Sequence, residues 1–175
     1  TAELEQALGD AEAAYAAAAG ALTDGRLKAA MRLDRSVAKE LIPLKLDKAT
    51  FRTQVTQVDL DHAGPEGIDK VAFLISTNPG APLGPLIKIA SGGELSRFIL
   101  ALKVSLASTS SATTLIFDEV DAGVGGAVAE AVGKRLAELA KSLQVLVVTH
   151  SPQVAARAAK HFLISKGGNG KAPKS

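Results

Sequence analysis

Three short stretches carry residue types that could handle a nucleotide together. The first, Ser91-Gly92-Gly93-Glu94, precedes Leu95, Phe98, Ile99 and Leu102, which share one apolar helical face. Its Ser-x-x-Glu spacing is a capping box, in which Ser91 accepts from the Glu94 amide while Glu94 reaches back. A cap does not require two glycines. They would let a polyanion approach the free amides at the positive end of the helix dipole. From these residues alone, a capped helix and a phosphate-binding loop both remain open.

The second stretch, Thr114-Leu115-Ile116-Phe117-Asp118-Glu119, reads as a buried strand ending on adjacent carboxylates. At the carboxyl end of a parallel strand they would border a ligand crevice, where Mg²⁺ can offset their repulsion. Asp118 would hold the metal, directly or through water, and Glu119 could orient or deprotonate an attacking water. Acids also follow strands as plain turn residues. The third stretch, Thr149-His150, ends the next apolar run, 31 residues beyond Glu119. If the two strands are neighbours, His150 lies at the same sheet edge, able to donate to a terminal phosphate. His62 and His161 lack such a setting. Between the carboxylates and His150, residues 121–126 (Asp-Ala-Gly-Val-Gly-Gly) form a flexible loop suited to a subunit contact.

The phosphate-cradling pattern Gly-x-x-x-x-Gly-Lys-[Ser/Thr] is missing: Gly133-Lys134 is followed by Arg135 and Gly170-Lys171 by Ala172, and neither glycine has its partner five residues upstream. The segment would therefore need another to hold a nucleotide.

The elements that must position these groups alternate. Helix 94–107, strand 113–117, helix 126–143, strand 145–149, helix 152–159 and strand 162–165 imply βαβ crossovers and a parallel sheet. Ahead of them, 51–60 and 71–76 read as a β-hairpin across residues 61–67, and Thr77–Pro85, with three Pro and two Gly, as an irregular loop. Leu4, Leu8, Ala11, Tyr15, Ala18 and Leu22 alternate spacings of four and three, the seam of one coiled-coil strand whose partner is not in this chain. The alternative is a helix lying on the core. The register breaks at Asp24-Gly25, then Ala29, Leu33, Val37 and Leu41 resume a stripe that Pro43 ends.

Composition bounds the rest. In 175 residues, 47% hydrophobic and 3% aromatic, one core built from Leu, Ile, Val and Ala is expected. With no Cys, disulfides, Cys-ligated zinc and thiol nucleophiles are excluded. No run approaches the roughly 18 apolar residues of a membrane span, and Thr1–Asp10, with three acids and no base, does not resemble a signal peptide. The net charge of +2 is uneven: residues 1–24 hold five acids and no base, whereas 25–52 hold eight bases and three acids. That basic segment is either a solvated helix face or a stripe for nucleic-acid phosphates.

Ile89-Ala90-Ser91-Gly92-Gly93-Glu94-Leu95-Ser96-Arg97, Leu115-Ile116-Phe117-Asp118-Glu119-Val120-Asp121 and Val148-Thr149-His150-Ser151-Pro152-Gln153-Val154 together resemble the C-terminal head lobe of the RecN family, SMC-like ABC ATPases of bacterial double-strand-break repair. Phe73-Leu74-Ile75-Ser76-Thr77-Asn78-Pro79-Gly80 is similar to that family too, and the likeness runs from about Leu22 to Lys166.

The resemblance implies an α/β fold: the C-terminal lobe of an ABC-type ATPase head, a parallel sheet with flanking helices, plus an N-terminal coiled-coil helix stub. Its implied divisions are a coiled-coil return helix over 1–42, the lobe over 43–166 and a flexible tail over 167–175. The cofactors implied are ATP and Mg²⁺. Ser91, Gly92 and Gly93, with Glu94 in the same set, would contact the ATP of the opposite head; Asp118 would serve Mg²⁺, Glu119 would be the catalytic base and His150 the switch histidine. Many ABC proteins end the following loop on Asp, where this chain has Gly125. Implied partners are the N-terminal lobe of the same protein, a second head in a homodimer, and DNA, with no membrane, in a bacterial cytoplasm near the nucleoid. The isolated chain would be inactive, and hydrolysis would need the completed head. The alternatives are a head fragment of another SMC-type protein and a DNA-binding module using the basic helix face.

Overall fold

A computed structural model describes residues 1–59, 62–86, 92–107 and 113–164. The chain opens with one 40-residue helix, α1 (Ala2–Leu41), followed by a 3₁₀ turn (Ile42–Leu44) that Pro43 starts. The break expected at Asp24-Gly25 does not occur. A glycine inside a helix costs about 1 kcal/mol relative to alanine, and bonds from residues distant in sequence bracket this one. Thr23 Oγ1 donates to Asp69 at 2.9 Å, and Arg26 bridges to the same carboxylate at 3.0 Å and to the Glu66 carbonyl at 2.8 Å. The Asp69 side chain has no exposed surface. At Gly67, with φ +88° in the left-handed region that favours glycine, a Cβ would also come within 3.1 Å of a Leu22 methyl, so glycine eases the turn's approach to the helix.

Without a partner strand the expected seam of α1 lies largely in solvent, and the buried stripe runs beside it. Ala19, Thr23, Ala30, Val37 and Leu41 are buried, while Leu4 and Leu8 are 70% and 60% exposed and Ala18 and Ala29 face outward. The stripe runs without a phase change because it follows the hairpin.

Strands β1 (Thr50–Gln57) and β2 (Asp69–Ser76) pair antiparallel, with Phe51 opposite Ile75 and Thr53 opposite Phe73. A two-residue β3 (Gly84–Pro85) pairs with β2, within the segment expected to be wholly irregular. The Phe51 ring packs tilted against Phe98 of α2 (Gly92–Ser105) at 5.5 Å and against Phe73 at 5.7 Å, tying hairpin to helix. The Asp34 carboxylate of α1 accepts from the Thr53 amide at 2.8 Å.

After α2 come β4 (Thr114–Asp118), α3 (Gly126–Leu139), β5 (Gln144–Val148) and the short α4 (Pro152–Ala155). β4 and β5 pair in parallel, Asp118 opposite Val148, as the βαβ pattern predicts. One core joins Val37, Leu41 and Leu44 to Phe51, Ile75, Phe98, Phe117, Val120, Val132, Leu136 and Leu139.

The strand expected at 162–165 is not formed over 162–164: Phe162, Leu163 and Ile164 are 85%, 96% and 93% exposed and have no regular structure. A strand needs a partner edge and a covered face, and nothing described provides either there. The expected tail, 167–175, lies outside the described residues.

Candidate nucleotide site

The parallel pairing of β4 and β5 brings the sequence-predicted groups to one edge. Asp118 closes β4, Glu119 follows it, and His150 stands two residues past the end of β5; all three are exposed. Glu119 has φ 56°, in the left-handed region that bulky residues avoid. Such a conformation at a strand end is a local strain of order 1 kcal/mol, held by the turn around it. That turn is closed by Ala122 N–H donating to the Glu119 carbonyl at 3.0 Å.

Ser91 lies outside the described residues, so its cap cannot be placed. Gly92 and Gly93 begin α2 and have opposite surroundings. A Cβ on Gly93 would sit 2.8 Å from the Ala122 carbonyl oxygen, whereas one on Gly92 would meet nothing within 4 Å. Packing therefore explains Gly93 and leaves Gly92 unexplained. Glu94 is half-buried in the first turn, where its charge acts on Arg97. Arg97 is itself 7% exposed; burial pushes its guanidinium below the usual arginine range, and Glu94 opposes that shift. Arg97 Nη1 donates to the Ala122 carbonyl at 3.3 Å, so the start of α2 lies against the loop following β4. His62, after β1, and His161, after α4, are exposed.

Two participants were missed in the sequence. Asp121, taken there as part of a flexible loop, is 2% exposed, and its Oδ2 accepts a hydrogen bond from the Thr149 hydroxyl. The adjacency of Thr149 to His150 was the available signal.

Among the described residues no group of three or more His, Cys, Asp or Glu side chains could hold an ion alone. Mg²⁺ commonly takes only one or two carboxylates and completes its shell with water and phosphate oxygens, and the exposed Asp118-Glu119 pair fits that donor set. The first amides of an α-helix have no intrahelical acceptor, and Gly92 and Gly93 stand at that end of α2.

Among the described residues, one face of the β4–β5 sheet is left exposed. Phe117 packs inward, but Ile116, Leu146 and Val148 are 71%, 44% and 62% exposed, and by strand alternation Asp118 stands on their side. No described helix is long and apolar enough to cross a membrane.

No protein-family model matches the chain. It is 46% identical over 152 residues to the DNA repair protein RecN of Vibrio cholerae, covering 87% of this chain and 27% of that protein. It is 45% identical over 167 residues to RecN of Streptomyces coelicolor, covering 90% and 29%. The chain thus spans little more than a quarter of the length of these curated relatives. Among solved structures, an SMC head bound to the C-winged helix domain of ScpA superposes with TM-score 0.53 at 19% identity, covering 75% of this chain and 38% of that one. A structure from work on ATP-driven dimerization and DNA-stimulated activation of SMC ATPases superposes with TM-score 0.50 at 19% identity, covering 83% of each chain. These likenesses show an SMC-head fold.

Proposed function

Because this chain is a relative of the RecN DNA repair proteins, we propose that it is the carboxyl-terminal half of an ATP-hydrolysing head, completed by an amino-terminal lobe and a second head. The observation that carries this is the single edge shared by Asp118, Glu119 and His150, in a chain with no phosphate-cradling loop of its own. The bare apolar face beside Asp118 supports it further, since a surface of Ile116, Leu146 and Val148 gains by being covered.

In this reading Asp118 holds Mg²⁺, which when bound neutralises charge on the phosphate oxygens. Glu119 orients the attacking water and accepts its proton. His150 donates a hydrogen bond to the terminal phosphate. Gly92 and Gly93, with Ser91 and Glu94, present α2's amino terminus to ATP held by the opposite head; open space at Gly92 supports close approach. The biological setting that follows is DNA double-strand-break repair and recombination.

The isolated chain should hydrolyse ATP negligibly, and addition of the amino-terminal lobe should restore turnover. Removal of a general base typically costs about 10²- to 10⁴-fold, so Glu119→Gln should abolish the restored activity while leaving nucleotide binding. Restored hydrolysis that survives Glu119→Gln would remove the role of that residue.

A second reading is favoured by α1. Lys28, Arg32, Arg35 and Lys39 fall at spacings of four, three and four, are exposed, and form no ion pair among the described residues, whereas Arg26 and Arg52 are engaged with Asp69 and Asp34. Such a stripe suits DNA phosphates. Binding should then weaken steeply with salt, and neutralising all four should flatten the log–log slope by about 3 to 4; salt-insensitive binding would eliminate it.

A further inference from the structure

The β4–β5 ladder ends at Asp118 opposite Val148, so backbone pairing stops before Glu119 and His150. Something else must fix the two chain segments relative to each other. The described side-chain bond that crosses the gap is Thr149 Oγ1–H to Asp121 Oδ2, and the Ser151 amide donates to the same Thr149 oxygen at 2.9 Å. The hydroxyl thus joins the loop after Glu119 to both backbone neighbours of His150. From the other side, Arg97 and the close approach of Gly93 hold Ala122, next to Asp121.

We infer that Asp121 and Thr149 are positioning residues: their hydrogen bond holds His150 at the edge occupied by Glu119, so that both meet one terminal phosphate. The inference rests on the proposed ATPase and names residues that its chemistry does not touch. Asp121 is buried, and among the described residues its Oδ1 has no hydrogen-bond partner. A buried carboxylate with an unpartnered oxygen is a poor device for stability alone, because an apolar residue there would avoid the desolvation. The cost is understandable where geometry between two strand ends is what is required.

The test uses the polypeptide carrying both lobes. Thr149→Val removes the hydroxyl at nearly constant volume, and Thr149→Ser keeps it. Misplacement by about 1 Å can cost on the order of 100-fold, so Thr149→Val should lower kcat by about 10- to 100-fold with KM for ATP within about 3-fold of the parent. Thr149→Ser should restore most of the rate. In a His150→Ala background, Thr149→Val should cost less than about 2-fold, since the position it secures is already empty. Without nucleotide, Thr149→Val should accelerate hydrogen exchange over 119–124 and 149–151.

An unchanged kcat, an equal loss in the His150→Ala background, or unchanged exchange would each overturn the positioning role. If hydrolysis still requires Glu119 but ignores Thr149→Val, this inference alone falls. If the unsubstituted protein shows no Glu119-dependent hydrolysis, the ATPase reading falls and takes the inference with it.

Discussion

The hairpin sheet and the β4–β5 sheet sit on one core but are finished differently. Helices α1 and α2 cover the hairpin's inner face, where Phe51 and Ile75 are 6% and 5% exposed, and its turn is bonded to α1 through Asp69. The β4–β5 pair buries one face through Phe117 and leaves Ile116, Leu146 and Val148 in solvent. The first sheet is satisfied by its own chain. The second bears the carboxylates and the histidine, with Asp118 on the side of its exposed face. The scaffold contacts are thus made within this segment, while the proposed chemistry calls on groups from outside it.

The largest effect should come from testing the faces against each other. Phe51→Ala should destabilise the isolated chain by about 3–5 kcal/mol, because a large buried ring leaves a cavity. Ile116→Ser should change stability by about 0.5 kcal/mol or less, as an exposed substitution does, yet weaken association with the amino-terminal lobe. Denaturant titration and pull-down with that lobe read the two outcomes. Equal destabilisation by both would mean that the second sheet is already covered.

Next in size is the glycine pair. Gly93→Ala forces a methyl against the Ala122 carbonyl at 2.8 Å, and overpacking of this kind costs about 1–3 kcal/mol. Gly92→Ala meets open space and should leave stability unchanged or slightly raised, since alanine favours helix. In the completed head, Gly92→Ala should still impair hydrolysis. If it does not, the loop needs no glycine for a ligand and the capped-helix reading of Ser91–Glu94 gains.

Local signals were legible in the sequence. The apolar runs of β4 and β5, the helix between them and the carboxylates at one strand end depend on neighbours in the chain, and the structure has them in the expected order. What was illegible depended on residues far away. Continuity of α1 through Gly25 comes from Asp69 and Glu66, over 40 residues on, which periodicity in α1 cannot report. Asp121 looked like a turn residue because its partner, Thr149, lies 28 positions later. Residues 162–164 have the composition of a strand, but composition supplies neither an edge to pair with nor a face to cover it. Ser91, read as part of a cap or a phosphate-binding loop, lies outside the described residues.

The smallest effect separates strain for folding from strain for function. Lys45 and Glu119 both have φ 56°. Lys45 follows the 3₁₀ turn and its amide donates back to the Ile42 carbonyl, a common use of the left-handed conformation at the end of a helical segment. Glu119 has no such reason, since it follows a strand. A left-handed non-glycine residue costs about 1–2 kcal/mol, while glycine adds unfolded-chain entropy worth about 0.5–1 kcal/mol. Lys45→Gly and Glu119→Gly should therefore each stabilise the isolated chain by about 0.5–1 kcal/mol. Only Glu119→Gly should abolish hydrolysis by the completed head. If Glu119→Gly destabilised the isolated chain while Lys45→Gly stabilised it, the Glu119 carboxylate would be serving the fold, and the strain at β4's end would no longer point to catalysis.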